Sequence, residues 1–220
     1  MTVRICASIL PKTIDDAIRL MKKAKEAKVN FIEIRLDDLA RNSKLEDLTT
    51  HIEIPLIATD RSNKNEVERQ AILLNAAKSG FAYVDTDLSS PKLQNFVNQA
   101  KAIGTKCIVS FHDFGKTPST LELNRILERE VSSGADVCKI VTTANKMEDN
   151  LTLLQFIQAS PVRKKPVCFA MGQLGKTSRL LSPVFGSFFT FASLERGAET
   201  APGQMTVQEL RTAYVLLGLS

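Results

Sequence analysis

Phe31-Ile32-Glu33-Ile34-Arg35-Leu36-Asp37 alternates strictly between apolar and charged side chains. Residues two apart on a strand share a face, so Glu33, Arg35 and Asp37 point one way and Ile32, Ile34 and Leu36 the other. Helices must cover the apolar face, and the three charges then line an interior. Similar short, β-rich runs recur at Val3 to Ile9, Pro55 to Thr59, Tyr83 to Leu88, Lys106 to His112, Val137 to Thr143, Val167 to Met171 and Phe188 to Leu194.

The segments between these runs carry helical spacing. One stripe is Ile14, Ala17, Ile18 and Met21, and another is Val67, Ala71 and Leu74, closed by Gly80. Leu93, Phe96, Val97 and Ala100 make a third, with Ser90 expected as N-cap, Pro91 at the first helical position and Gly104 just past the end. Leu123, Ile126, Leu127 and Val131 follow, stopped near Gly134, and then Met147, Leu151 and Leu154. Thr206 and Glu209 stand at capping-box spacing before Leu210, Ala213, Tyr214 and Leu217.

Strict strand–helix alternation implies a parallel sheet. About eight β–α units at roughly 25–30-residue spacing fit a closed (β/α)8 TIM barrel better than an open doubly wound sheet. An open sheet usually carries a Gly-rich phosphate loop after its first strand, whereas Leu10-Pro11-Lys12 follows here. With 220 residues and no linker or composition break, a single barrel domain over residues 1–220 is expected.

The chain is 44% apolar and 24% charged, which excludes disordered, collagen-like and low-complexity classes. No apolar run reaches the ~18–20 residues of a membrane span. Met1 to Leu10 holds one Arg and a short apolar stretch ended by Pro11, so it reads as a strand rather than a signal peptide. Net charge is +5, densest at Lys22, Lys23, Lys25 and Lys28 around Glu26. A solvated helix face explains that run, and two Tyr with no Trp offer little for base stacking. Nucleic acid and membrane are therefore not expected partners. Cys6, Cys107, Cys138 and Cys168 are far apart in apolar runs, without metal-ligand spacing, as expected of buried, reduced thiols in a cytoplasmic protein.

The same period of two turns Asp85 and Asp87 inward on the fourth strand, Ser110 and His112 on the fifth, and Lys139 on the sixth. Buried charges cost several kcal/mol each, in order-of-magnitude terms, unless paired. They mark either a polar site or an internal salt-bridge network that only sets strand register. Lys139 within Val137-Cys138-Lys139-Ile140-Val141 is a snorkelling side chain or a nucleophile. Desolvation disfavours an ammonium and frees the amine to attack a carbonyl. His112 is a satisfied core histidine or a base at the carboxyl end of a strand, where barrel active sites form. His51 lies in a polar connection and is given no role. An iminium on Lys139 with His112 to remove the adjacent proton is a coherent pair that needs no metal or bound cofactor.

These residues match a known pattern. The sequence resembles type I 3-dehydroquinate dehydratase over essentially the whole chain. The resemblance rests on Glu33-Ile34-Arg35-Leu36-Asp37, Asp60-Arg61-Ser62, Ser110-Phe111-His112-Asp113-Phe114 and Lys139-Ile140. It continues with Met171-Gly172 through Ser178-Arg179 and Ala201-Pro202-Gly203-Gln204, in order. It implies syn elimination of water from 3-dehydroquinate to 3-dehydroshikimate in the shikimate pathway of aromatic amino-acid biosynthesis. In that reading Lys139 is the Schiff-base lysine and His112 the general acid/base. Arg179 resembles the arginine that grips the substrate carboxylate. Thr200, where the family commonly has Ser, would hold the carboxylate or ring hydroxyls with Gln204. Glu33, Arg35 and Arg61 match hydroxyl-binding positions, and Ser8 and Met171 line the pocket. The resemblance also implies a homodimer.

One segment departs from the pattern. The family often reads Arg-x-x-x-Glu-Gly-Gly after the Arg61 position, and its glutamate assists the histidine. Here Asn65 holds the glutamate position, both glycines are missing, and Glu66 stands one residue on. A retuned His112 is the expected consequence. Longer members also carry an N-terminal hairpin below the barrel, whereas this sequence starts at the first strand. The alternatives are a class I aldolase or transaldolase, which would call for a phosphate site after strands seven and eight, and a non-catalytic binding barrel.

Overall fold

The computed structural model describes residues 3–40, 43–161 and 166–219. Its parallel strands are β1 (Ile5–Ile9), β2 (Phe31–Arg35), β3 (Leu56–Thr59), β4 (Tyr83–Asp87), β5 (Lys106–His112), β6 (Val137–Thr143), β7 (Val167–Met171), β8 (Thr190–Ser193) and the two-residue β9 (Met205–Thr206). The helices are α1 (Ile14–Glu26), α2 (Glu46–Thr49), α3 (Glu66–Lys78), α4 (Leu93–Ala102), α5 (Thr120–Ser132), α6 (Glu148–Ala159), α7 (Lys176–Leu181) and α8 (Val207–Leu216). None of the described helices is long and apolar enough to cross a membrane.

Ladders run from β7 down to β1, and β1 pairs on its other edge with β8. The sheet therefore curls into a barrel whose seam lies between β7 and β8. At that seam the Phe188 amide donates to the Pro166 carbonyl at 3.3 Å, and Phe169 meets Phe191 edge-on at 6.1 Å. Side chains from β2, β4, β6 and β8 meet inside, as expected of a closed barrel rather than a flat sheet.

Strand parity sorts the core into two. Ile32, Ile34, Val84, Val109, Cys138 and Ile140 pack outward against the helices. Cys6, Phe31, Ile57, Tyr83, Ile108, Val167 and Phe189 fill the interior toward the amino ends. Phe31 anchors that plug, 5.9 Å from Tyr83 and 5.0 Å from Phe189. Buried aromatics supply large apolar area, and their tilted and edge-on contacts fit the ring quadrupoles.

Several helix details differ from the sequence expectation. Ser90 does not cap α4: its hydroxyl is engaged by Glu66 and Thr86, and the helix starts at Leu93 after Lys92 in the left-handed region, φ 54°. On α3 the buried face is Leu73, Ala76 and Ala77, while Val67 is exposed. On α6 Met147 and Leu151 are exposed, and Leu153, Leu154 and Ile157 are buried. In both helices the N-terminal members of the expected stripe face solvent, whereas Leu154 is buried as expected and Leu74 packs partly buried against the core. The capping box of α8 forms as expected between Thr206 and Glu209, and Gly80 and Gly104 follow α3 and α4 with positive φ.

Candidate active site

Above the aromatic plug the interior turns polar. A cavity of about 680 Å³ opens at the carboxyl ends of the strands, with Glu33, Arg35, Arg61, His112, Lys139, Met171, Arg179, Thr200 and Gln204 in its wall. Ser8 sits behind that wall, accepting from the Thr200 hydroxyl at 2.8 Å and donating to Glu33. The candidate residues from the sequence are thus brought together at one end of the barrel.

Lys139 lies mid-strand on β6, beside Ser110 of β5. Its side chain is buried, with Nζ 2.7 Å from Asp85 Oδ2, 3.6 Å from Glu33 Oε1 and 4.4 Å from the centre of the Phe191 ring. The inward-facing charges expected from strand alternation thus include direct partners of this lysine. Two carboxylates and an aromatic face surround the nitrogen, an environment that also suits a protonated imine.

Asp85 is the hub of this side. Its Oδ1 accepts from Arg61 Nη2 and from the Ser110 hydroxyl, both at 2.7 Å. Burial alone would raise its carboxyl, but Lys139 and Arg61 more than offset that and hold it at about 2. Glu33 is fixed by Ser8 and by the Thr59 hydroxyl at 3.0 Å. Arg35 folds back on Asp37, with contacts of 3.0 and 2.5 Å.

His112 ends β5 on the same inner face as Lys139, two residues nearer the mouth. Burial pushes its imidazole below the ordinary value, with Asp87 pulling the other way, and Arg61 and Lys139 add to the lowering. The neutral ring that a base requires is thereby favoured near pH 7. Phe114 stacks on it at 6.0 Å and 14°.

Arg179 approaches from α7 on the opposite wall. It is buried, with Nε and Nη2 lacking hydrogen-bond partners among the described residues, and its guanidinium stands 4.2 Å over Phe169. Burial pushes it down to about 9. An unpaired buried guanidinium facing a cavity is a receptor for an anion, and its planar fork fits a carboxylate.

The local sequence fixes this position. The Ser178 hydroxyl donates to the Gly175 carbonyl and accepts from the Ala170 amide, both at 3.0 Å, and Thr190 donates to the Arg179 carbonyl at 2.8 Å. A Cβ on Gly175 would sit 2.5 Å from the Ala170 and Met171 carbonyl oxygens. A Cβ on Gly203 would sit 2.1 Å from Gly172 O, because the segment bearing Thr200 and Gln204 is laid against the turn after β7. The Gly172 amide donates to Pro202 O at 3.2 Å, and Gln204 Oε1 accepts from the Thr200 amide at 2.8 Å.

Sequence reading assigned no site role to Asp85, Asp87, Ser110, Thr59 or Phe191. Alternation signalled Asp85, Asp87 and Ser110 as inward-facing. It could not signal that Asp85 meets a lysine 54 residues away.

The pattern described as Type I 3-dehydroquinase matches residues 5–220. A 3-dehydroquinate dehydratase of Methanococcus maripaludis strain C5 is 36% identical over 222 residues, covering 97% of this chain and 99% of that protein. The structure of type I 3-dehydroquinate dehydratase from Clostridium difficile, with covalently modified comenic acid, superposes with a TM-score of 0.87 at 28% identity, covering 98% of this chain and 92% of that one. The 3-dehydroquinate dehydratase from Aquifex aeolicus VF5 gives a TM-score of 0.80 at 29% identity, covering 96% and 99%.

Proposed function

The chain belongs to the type I 3-dehydroquinase family, and from that premise we propose that it removes water from 3-dehydroquinate through an imine on Lys139. The observation that carries this reading is a buried lysine held between two carboxylates, facing the same cavity as a buried arginine whose Nε and Nη2 have no hydrogen-bond partner among the described residues.

Arg179 takes the substrate carboxylate, with Thr200 and Gln204 beside it. Arg35, Arg61 and Glu33 hold ring hydroxyls, and Ser8 steadies Glu33 and Thr200. The Lys139 amine adds to the ketone carbon and water leaves as the imine forms. His112 removes the proton alpha to the iminium carbon, whose electrons pass into the nitrogen as an enamine. The enamine expels the hydroxyl, which leaves as water with the proton from His112. Hydrolysis of the conjugated imine returns the water of condensation and releases 3-dehydroshikimate, so one water is lost in all. Asp85 and Glu33 stabilise the nitrogen in its cationic iminium forms before and after the elimination.

A single catalytic barrel across residues 1–220 and a cytoplasmic homodimer belong to the same proposal. In support, the four cysteines are free and buried, and α8 exposes Val215 and Leu216 near its end.

Borohydride reduction in the presence of 3-dehydroquinate tests the reading. A ligand-derived mass on the Lys139 peptide is expected, with its loss in Lys139→Ala and a fall in turnover of about 10^4-fold or more, as for removal of other covalent nucleophiles. An adduct on another lysine, or full turnover by Lys139→Ala, overturns it.

A further inference from the structure

We propose that Asp87, at the end of β4, is the positioning carboxylate of His112, and that neither Asn65 nor Glu66 of the α3 entry takes this part. The inference rests on the dehydratase reading, which makes His112 the proton carrier.

Asp87 is held for such a role. Its Oδ1 accepts from the Ser89 amide at 2.8 Å and from the Ser89 hydroxyl at 2.5 Å. That leaves Oδ2 facing His112 Nδ1 at 3.9 Å. The ring is bounded by this carboxylate on its Nδ1 edge and by Phe114 on one face. Among the described residues its Nε2 has no hydrogen-bond partner. A carboxylate at Nδ1 keeps the proton of the neutral ring there, so the lone pair of Nε2 is the one available to a substrate. It also stabilises the imidazolium that forms once Nε2 has taken a proton. The gap is ~1 Å longer than a hydrogen bond, a length common for catalytic contacts in the absence of substrate.

The α3 entry is committed elsewhere. Asn65 caps the helix, its side chain accepting from the Glu68 amide at 3.0 Å. The Glu66 carboxylate is taken by Arg69 and by the Ser90 hydroxyl. Glu66 thereby braces the turn that contains Ser89 and does not meet the imidazole. The charged groups facing His112 are Asp87 and Asp85 from β4, Arg61 from the β3–α3 connection and Lys139 from β6. Of the two carboxylates, Asp87 is the one in ion-pair range.

The test is the pH profile of kcat/KM for 3-dehydroquinate in wild type, Asp87→Asn and Asp87→Glu, with borohydride trapping run on each. Asp87→Asn is expected to keep the trapped adduct and KM while losing about 10-fold or more in kcat, a part of the ~100-fold or more that a positioned base contributes. Its acidic limb is expected to move to lower pH by about half a unit or more, because an anion that favoured imidazolium is gone. Asp87→Glu is expected to recover most of the loss. An unmoved limb with kcat within about threefold of wild type, or a Glu variant no better than Asn, overturns the assignment. Ser89→Ala keeps the charge but frees its tether, and a several-fold fall in kcat at unchanged KM is expected. Unchanged kcat in that variant overturns the assignment even where Asp87→Asn does not fold. Wild type that leaves 3-dehydroquinate unconverted ends the dehydratase reading, whereas conversion by wild type and Asp87→Asn alike ends only the role of Asp87.

Discussion

Lys139 and Arg179 are both buried cations facing one cavity, and their surroundings are opposite. On the β2–β6 side Lys139 is neutralised by Asp85 and Glu33, which are themselves tied to Arg61, Ser8, Thr59 and Ser110. On the α7 side the Arg179 guanidinium has Nε and Nη2 unmatched. The difference separates resident machinery from a waiting receptor. A buried ion pair is complete within the protein, while a bare buried cation carries a desolvation cost that an incoming anion can relieve.

The sharpest way to break this contrast is to remove one charge from each side. Asp85→Ala leaves Lys139 and Arg61 without their shared partner, and we expect a stability loss of about 3–5 kcal/mol. A thermal melt should show this as a drop of roughly 6–20 °C. An unchanged midpoint would mean that the pair is not structural. Arg179→Met removes a cation with no carboxylate partner among the described residues, so the midpoint of the unliganded protein should hold or rise. Its kcat/KM should fall by roughly 30- to 4000-fold, the equivalent of ~2–5 kcal/mol for a buried charge-assisted contact. A large fall in melting temperature for this variant would show that Arg179 supports the fold.

The smallest expected effect sharpens the same lesson among the acids. Glu130 on α5 is fully buried, and burial raises its carboxyl well above the usual range despite the opposing pull of the Lys139 backbone amide and the Cys138 thiol. Asp85 is lowered to about 2 by its cationic partners. The two acids therefore oppose each other in pH dependence. Asp85 contributes stability above the unfolded-state pKa of ~3.9 and loses it as pH falls toward its folded value. Glu130 keeps a proton that the unfolded chain releases above ~4.3, so it costs stability as pH rises toward its folded value, by at most ~1.4 kcal/mol per pH unit. Glu130→Gln should melt higher than wild type near neutral pH, with the advantage shrinking toward pH ~4.3. Parallel melting curves for the two proteins across that range would contradict this.

The inward residues were readable because a strand has a period of two and this sequence keeps it: Glu33, Asp85, Ser110, His112 and Lys139 all face inward as alternation requires. Their partners were not readable, since the Lys139–Asp85 contact depends on how far the sheet curls. The exact helix starts were also hidden. Ser90 looks like a cap, and its hydroxyl is consumed by Glu66 from a different helix. The exposure of Val67 and Met147 had the same source, because a stripe is rotated by neighbours the pattern does not contain. The reason for the Met171-Gly172 to Arg179 and Pro202-Gly203 motifs appeared only in three dimensions, as three carbonyl contacts, two at Gly175 and one at Gly203, that admit no Cβ.

The plug of Phe31, Tyr83 and Phe189 makes the reaction chamber a blind alley. Whatever enters at the strands' carboxyl ends must back out through the same doorway, past Phe114 and the Pro202 turn. Product on its way out and the next substrate molecule contend for one vestibule. Inhibition of turnover by accumulated product should accordingly be competitive, overcome by raising the substrate concentration.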